Sequence, residues 1–306
     1  MAQNASFKLF RHLGMAIDPI HVGAGGARLG RVDLSIVRDP ATRLPIIPGS
    51  SLAGVFRAYV AMSRDKYPHC AGWGQARPDG SSSHCGKPDC PVCTVFGFAT
   101  RRDAAGGFAG LASFSDAHLV LFPVPTRSGP LWVTSPLALR LLGYEAQGVA
   151  DNALYRENAS DRPLNLGWLL VPVRSYSDFN YLKEKLKALG VPDYVRDRLG
   201  ILPDALFAPV VNSNLEVRTS VSINPETGAA EEHALFTYEA LPRTTILYWE
   251  VVCKNPRHFK IGQAEITAVK SPEEVHSVVE EAYAYLTHLG IGGMGTRGMG
   301  RLEVIH

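Results

Sequence analysis

The chain has 306 residues, 46% of them hydrophobic, a formal net charge of +2 at pH 7 and five cysteines. That length and apolar content allow a real core in one elaborated domain or in two. The charge is too mild to specify a polyanionic partner by itself, no apolar run approaches the ~18 residues that span a membrane, and one isolated cysteine plus a cluster is not a secreted disulfide framework.

The opening Met1-Ala2-Gln3-Asn4-Ala5-Ser6-Phe7-Lys8 lacks the apolar core of a secretory leader, so the expected location is the cytoplasm, with reduced thiols. The charge is unevenly spread. Residues 1–60 carry Lys8, Arg11, Arg28, Arg31, Arg38, Arg43 and Arg57 against Asp18, Asp33 and Asp39. A basic first segment before a near-neutral remainder fits a localised polyanion site.

Residues 7–17 predict a first strand. Gly23, Gly25, Gly26 and Gly30 follow His21 as a glycine-rich loop whose spacing matches neither a dinucleotide fingerprint nor a P-loop. Ile46-Ile47-Pro48-Gly49-Ser50-Ser51 then leads into Leu52, Val55, Phe56, Tyr59 and Val60, the spacing of an amphipathic helix with Ser50 or Ser51 as N-cap. Its first amides would suit an anion, and Arg57 and the glycine loop lie close by in sequence.

Residues 64–94 form a cysteine-rich insertion with Gly, Pro and Ser turn signals. Cys85, Cys90 and Cys93 follow one another as Cys-x4-Cys-x2-Cys, with Cys70 shortly upstream, and this is tetrahedral zinc-ligand spacing. His69 and His84 neighbour two of the cysteines as alternate ligands. Four protein ligands leave no open position, so the expected ion is structural.

Beyond the insertion, residues 111–124 read as one or two strands, 126–165 as loop-rich, 168–173 as a strand and 178–199 as helical at Leu182, Leu186 and Leu189. The strongest β signal is the alternation of Leu215, Val217, Thr219, Val221 and Ile223, followed by the turn Asn224-Pro225-Glu226-Thr227-Gly228 and a return over 234–238. Residues 244–252 predict another strand. Ser271-Pro272-Glu273-Glu274 is a helix start with a capping box, and the helix is expected to run through Leu289 to a stop at Gly290. A closing glycine loop, Ile291 to Arg301, carries Arg297 and Arg301 and can form an anion nest, before a short strand at 302–304. From spacing alone, Asp33 reads as an ion-pair partner of Arg28, Arg31 or Arg38, and His21 as a satisfied structural histidine. Together the features indicate a zinc-pinned nucleic-acid-binding protein rather than a metabolic enzyme.

Four stretches, in order, resemble the RAMP superfamily of CRISPR systems: His21-Val22-Gly23-Ala24-Gly25 with Gly30-Arg31-Val32-Asp33; Pro45-Ile46-Ile47-Pro48-Gly49-Ser50-Ser51-Leu52 with Gly54; Ala234-Leu235-Phe236 with Glu239 and Leu241-Pro242; and the closing glycine loop. The resemblance is nearest to the backbone subunit of type III-B (Cmr) effector complexes, with the type III-A (Csm) backbone second. It implies an α+β fold: a modified RRM-like (ferredoxin-like) palm with insertions, the zinc-binding insertion at 64–94 and a protruding thumb hairpin at 210–240, all within a single RAMP domain over 1–306.

The resemblance further implies antiviral defence as a CRISPR-RNA-binding subunit and endoribonuclease, cutting complementary single-stranded target RNA at regular intervals. Its partners would be the CRISPR RNA, the target RNA, copies of itself along the guide and other effector subunits, with no membrane. Asp33 would be catalytic, with His21, Tyr238 and Glu239 assisting. Gly25, Arg28, Ser50, Ser51, Arg57, Arg218, Gly293, Gly295 and Arg297 would contact RNA. The expected chemistry is 2′-hydroxyl transesterification assisted by Mg or Mn, beside the structural Zn held by Cys70, Cys85, Cys90 and Cys93. The competing readings are a non-catalytic architectural subunit, a guide-processing ribonuclease and a zinc-dependent metabolic enzyme. Two features depart from the family pattern: Ala53 stands where the family usually has Lys, and the cysteine insertion is more typical of the Csm-type backbone.

Overall fold

A computed structural model of the chain describes residues 5–25, 32–72, 83–99, 107–150, 152–231 and 235–306. Two compact units share the polypeptide. One takes residues 1–12, 47–117 and 249–289, the other residues 13–46, 118–248 and 290–306. Among the described residues no helix is long and apolar enough to cross a membrane.

The first unit is organised by the helix Gly49–Ser63, which buries Leu52, Phe56, Val60 and Ala61 along one face. Phe56 packs against Phe114 and sets its edge against Tyr283, at ring separations of 5.2 and 6.1 Å. The N-cap is Pro48, not Ser50 or Ser51 as the sequence predicts. Pro48 has no capping side chain, and its carbonyl accepts from the amides of Ser51 and Leu52. The capping role passes to a distant residue: the Gly49 amide donates to Asp116 Oδ1 at 2.7 Å.

In the same unit Ala112–Phe114 pairs antiparallel with Val251–Cys253. The predicted helix start at Ser271 is present, with Ser271 Oγ accepting from the Glu274 amide. The predicted single helix is instead two, Pro272–Glu280 and Tyr283–Leu289. Val275, Val278 and Val279 of the first and Leu286 of the second are buried, so the apolar period continues across the break.

The second unit is a mixed sheet. Gly14–Ala16 pairs with Leu302–Val304, Ile246–Tyr248 with His118–Leu121, and Phe122–Val124 with Leu131–Val133, all antiparallel. Trp132–Thr134 runs parallel to Leu199–Ile201, and Leu154–Arg156 parallel to Val173–Ser175. The hairpin Ser160–Leu166 and Leu169–Ser175 ends the sheet. The region 126–165, read from sequence as loop-rich, therefore supplies Leu131–Thr134, Leu154–Arg156 and Ser160–Leu166. The helix Phe179–Ala188 buries Phe179, Leu182 and Leu186 in a core with Leu13, Val120, Leu121, Trp132 and Leu199.

A separate two-stranded ribbon, Glu216–Ser220 with Phe236–Ala240, also belongs to this unit, in the register Glu216↔Ala240 to Ser220↔Phe236. It is the expected hairpin, with its strands shorter than the alternation predicts. Beyond Ser220, among the described residues, the pairing continues as the bridge Ile223↔Ala230. The turn at Asn224 is as expected: its side chain accepts from the Glu226 amide and Gly228 donates back to its carbonyl.

Candidate functional site

Residues 20–25 and 32–38 of the second unit lie against that ribbon and the closing glycine loop. Ile20 bridges to Leu241, His21 to Gly293, Gly23 to Ile36, and Leu34 runs parallel to Tyr238. This local pairing delivers Asp33 to the ribbon. The Asp33 amide donates to Thr237 Oγ1 at 3.1 Å, while the Thr237 amide and hydroxyl both donate to Asp33 Oδ2, at 2.7 and 2.9 Å. Asp33 is exposed. Its carboxyl is held below the ordinary value by the hydrogen bond from the Thr237 backbone first and its hydroxyl second, against a small opposing effect of burial. The expected ion pair with Arg38 is not made: Arg38 Nη2 binds Glu239 Oε2 at 2.8 Å instead. Arg28 and Arg31 lie outside the described residues.

His21 is buried, and its Nδ1 lies 2.6 Å from the Glu239 carbonyl. A carbonyl can only accept, so Nδ1 carries the proton and Nε2 is left as the acceptor. Nε2 points at Gly23, where an added Cβ would sit 3.3 Å away. The ring edge of Tyr238 closes the other side at 6.0 Å. The Tyr238 hydroxyl is within 3.4 Å of Ser220 Oγ. Glu239 is buried, accepting from Arg38 and from the Ile36 amide, so its carboxylate is committed to the fold.

The closing loop meets His21 through its backbone. The Gly293 amide donates to the His21 carbonyl at 2.8 Å, and Gly292, with φ of +90°, faces that carbonyl so closely that a Cβ would collide with it. Gly25 and Gly295 have nothing near their Cα hydrogens among the described residues. The Arg297 guanidinium lies over the Phe236 ring at 5.5 Å, one residue from Thr237. Arg218 is held by Glu216 at 2.6 Å in a half-buried ion pair. Arg301, by contrast, grips Asp18 through two bonds.

The remaining predicted contacts belong to the first unit. Ser50 and Ser51 open the helix, and their hydroxyls make no hydrogen bond among the described residues. Arg57 is placed otherwise than its reading as an RNA contact requires. Its Nε donates to the Cys70 carbonyl at 2.7 Å and its Nη2 to the Gly97 carbonyl at 2.6 Å, with His84 Nδ1 at 3.0 Å. The guanidinium props the insertion from beneath.

The Sγ atoms of Cys70, Cys85, Cys90 and Cys93 all lie within 4.8 Å of one another and form the group able to hold a metal ion among the described residues. His69 and His84, the alternate ligands, are not in it; His84 turns its Nδ1 to Arg57 and is pulled down to about 4 by burial and then by that cation. The thiols compete for protons. Cys90 is lowered to about 5 by its hydrogen bond with Cys93, and Cys85 is raised to about 11 by burial. A soft divalent cation relieves that competition by binding all four as thiolates.

A family model for the RAMP superfamily matches residues 15–303. The CRISPR system Cmr endoribonuclease Cmr4 of Pyrococcus furiosus is 28% identical over 308 aligned residues, covering 94% of this chain and 92% of that protein. The Csm3 endoribonuclease of Methanothermobacter thermautotrophicus is 34% identical over 96 residues, 31% of each chain. The fold is similar to a chain in the cryo-EM structure of type III-B Cmr-beta bound to cognate target RNA, with a TM-score of 0.67 at 17% identity and 98% of both chains covered. A crystal structure of Cmr4 aligns with a TM-score of 0.57 at 20% identity, covering 98% of this chain and 100% of the other.

Proposed function

The chain belongs to the RAMP superfamily, and on that premise we propose that it is a CRISPR-RNA-binding backbone subunit of a type III effector complex that cleaves complementary target RNA. The observation that carries this reading is Asp33: an exposed, ionised carboxylate with one oxygen tied to Thr237 and the other, Oδ1, without a hydrogen bond among the described residues. Full-length similarity to the Cmr4 endoribonuclease supports it.

In the proposed reaction a target nucleotide turned out of the duplex sets its 2′-oxygen in line with the adjacent phosphorus. Asp33 Oδ1 accepts a hydrogen bond from the 2′-hydroxyl and orients it. A carboxylate held below its ordinary pKa is a better orienter than proton acceptor, so the hydroxyl proton passes to solvent as O2′ attacks. The P–O5′ bond breaks, O5′ takes a proton from solvent, and the products are a 2′,3′-cyclic phosphate and a 5′-hydroxyl. A magnesium or manganese ion held by one carboxylate oxygen and RNA phosphate oxygens suits this site and would supply charge neutralisation at the phosphate. Gly25, Gly293, Gly295, Arg218 and Arg297 belong to the same unit as Asp33 and would contact the RNA backbone; Ser50 and Ser51 offer a second anion seat at a helix start.

In this reading the ribbon and its loop at 210–240 form the thumb, the sheet forms the RRM-like palm of one RAMP domain over 1–306, and the insertion at 64–94 is pinned by structural zinc. The protein works in the cytoplasm beside further copies of itself and other effector subunits. Replacement of Asp33 by Ala tests the reading: target-RNA cleavage should vanish while bound RNA content and assembly stay as in the parent. Unchanged cleavage rejects Asp33 as the catalytic residue.

A further inference from the structure

We propose that Thr237 is the positioning residue of the cleavage site, fixing Asp33 so that Oδ1 faces the RNA. The inference rests on the function proposed above and adds a residue to it. Thr237 lies 204 positions from Asp33 in the chain, yet three hydrogen bonds join them, two of which end on the same carboxylate oxygen, Oδ2. The hydroxyl acts twice, accepting from the Asp33 amide and donating to Oδ2. A hydrogen-bonded carboxylate with one oxygen saturated has its plane fixed, and its second oxygen then points in one direction.

Other charges nearby do not do this work. Glu239 on the same strand is paired with Arg38, and Arg218 on the partner strand is paired with Glu216. Arg297 is seated on the Phe236 ring. No ion pair to Asp33 appears among the described residues, and its carboxyl is held below the ordinary value first by the bonds from Thr237, with its own backbone amide adding to them. Thr237 is opposite Thr219 in the ribbon, so the hydroxyl is carried by paired backbone on a rigid element and not by a loop.

Three variants separate the hydroxyl from the methyl group of this side chain. Thr237→Ser keeps the hydroxyl and loses the methyl. Thr237→Val keeps the shape and loses the hydroxyl. Thr237→Ala loses both. Asp33→Asn is run beside them. Each guide-loaded protein is assayed for bound RNA content, target-RNA affinity and single-turnover cleavage rate. The expected order is parent and Ser together, with Val and Ala slower on the order of tenfold or more, and target affinity unchanged throughout. If Val matches the parent while Ser falls to the level of Ala, the side chain serves packing and the inference is overturned. If Val does not assemble, the Ser and Ala pair decides alone: equal rates overturn the inference, and a slower Ala supports it. An Asp33→Asn protein that still cleaves overturns the catalytic role of Asp33 on which this inference rests, whereas an inactive Asn variant beside a fully active Val and Ala variant overturns only the role of Thr237.

Discussion

The Nε2 atoms of His12 and His276 lie 3.1 Å apart in the interior of the first unit. Two imidazoles at that distance share one proton, and their neighbours decide which ring holds it. His276 Nδ1 faces the Glu280 carboxylate at 3.5 Å, and the Tyr283 hydroxyl faces His12 Nδ1 at 3.4 Å. A carboxylate accepts and the phenol donates, so the chain runs one way: Tyr283 to His12, His12 to His276, His276 to Glu280. Phe10 stacks on His276 at 3.8 Å and covers it. Burial lowers the His276 pKa, Glu280 opposes that and Lys8 adds to it.

A histidine whose folded pKa is lowered contributes full stability above its unfolded value of about 6.5, and that contribution is lost as pH falls through it. Urea unfolding should therefore be flat near pH 8 and weaken below about pH 6.5. His276→Gln should reduce the slope in the acid range, where one proton corresponds to about 1.4 kcal/mol per pH unit. An unchanged slope would show that His276 takes up its proton equally in the folded and unfolded states.

Arg57 bridges the carbonyls of Cys70 and Gly97. Arg57→Met keeps most of the aliphatic stem and leaves both carbonyls without their donor. Zinc release to a chromophoric chelator should accelerate by roughly 10- to 100-fold, the usual effect of losing support behind a ligand set. Release at the parent rate would remove Arg57 from that role.

Gly49 sits where a Cβ would come within 2.6 Å of the Phe114 carbonyl and 2.9 Å of the Ser115 carbonyl. Backbone cannot yield as a side chain does. Gly49→Ala should cost about 1–3 kcal/mol in unfolding free energy and shift the helix start that carries Ser50 and Ser51, lowering the RNA content of the purified protein. A full Tm with full RNA content would contradict the close approach.

Glu239→Gln leaves the partly buried Arg38 without its counter-charge. The expected loss is about 3 kcal/mol of stability, read by denaturant unfolding, with cleavage per assembled molecule preserved. Normal stability combined with lost cleavage would place Glu239 in the chemistry instead.

Local patterns were readable and remote partnerships were not. The cysteine spacing foretold four converging thiols, and Ser271 with Pro272 foretold a helix start, because both signals lie within a few residues of each other. The helix Asp204–Ser213 was hidden by Pro203 at its cap and Pro209 inside it; a proline so placed reads as a breaker until Phe207, Val210 and Val211 are seen to be buried. Asp33 was named through family resemblance, but its partner Thr237 has no sequence signal, since a threonine in a strand is ordinary. The bonds of Arg57 to the Cys70 and Gly97 carbonyls were hidden for a related reason. A residue count gives the sign of a charge, not the direction in which its guanidinium points.

The interleaving of the two units bears on how the molecule is made. Each needs segments from the beginning, middle and end of the polypeptide: the first waits for residues 249–289 and the second for 290–306. Neither can finish folding early in translation. The nascent chain must keep its first strand unsatisfied until residues 249–306 have been made, and contacts of such long range form slowly. Splitting the gene anywhere within residues 14–288 would yield two fragments that each lack part of both units, so recovery of function from co-expressed halves would require them to fold around each other.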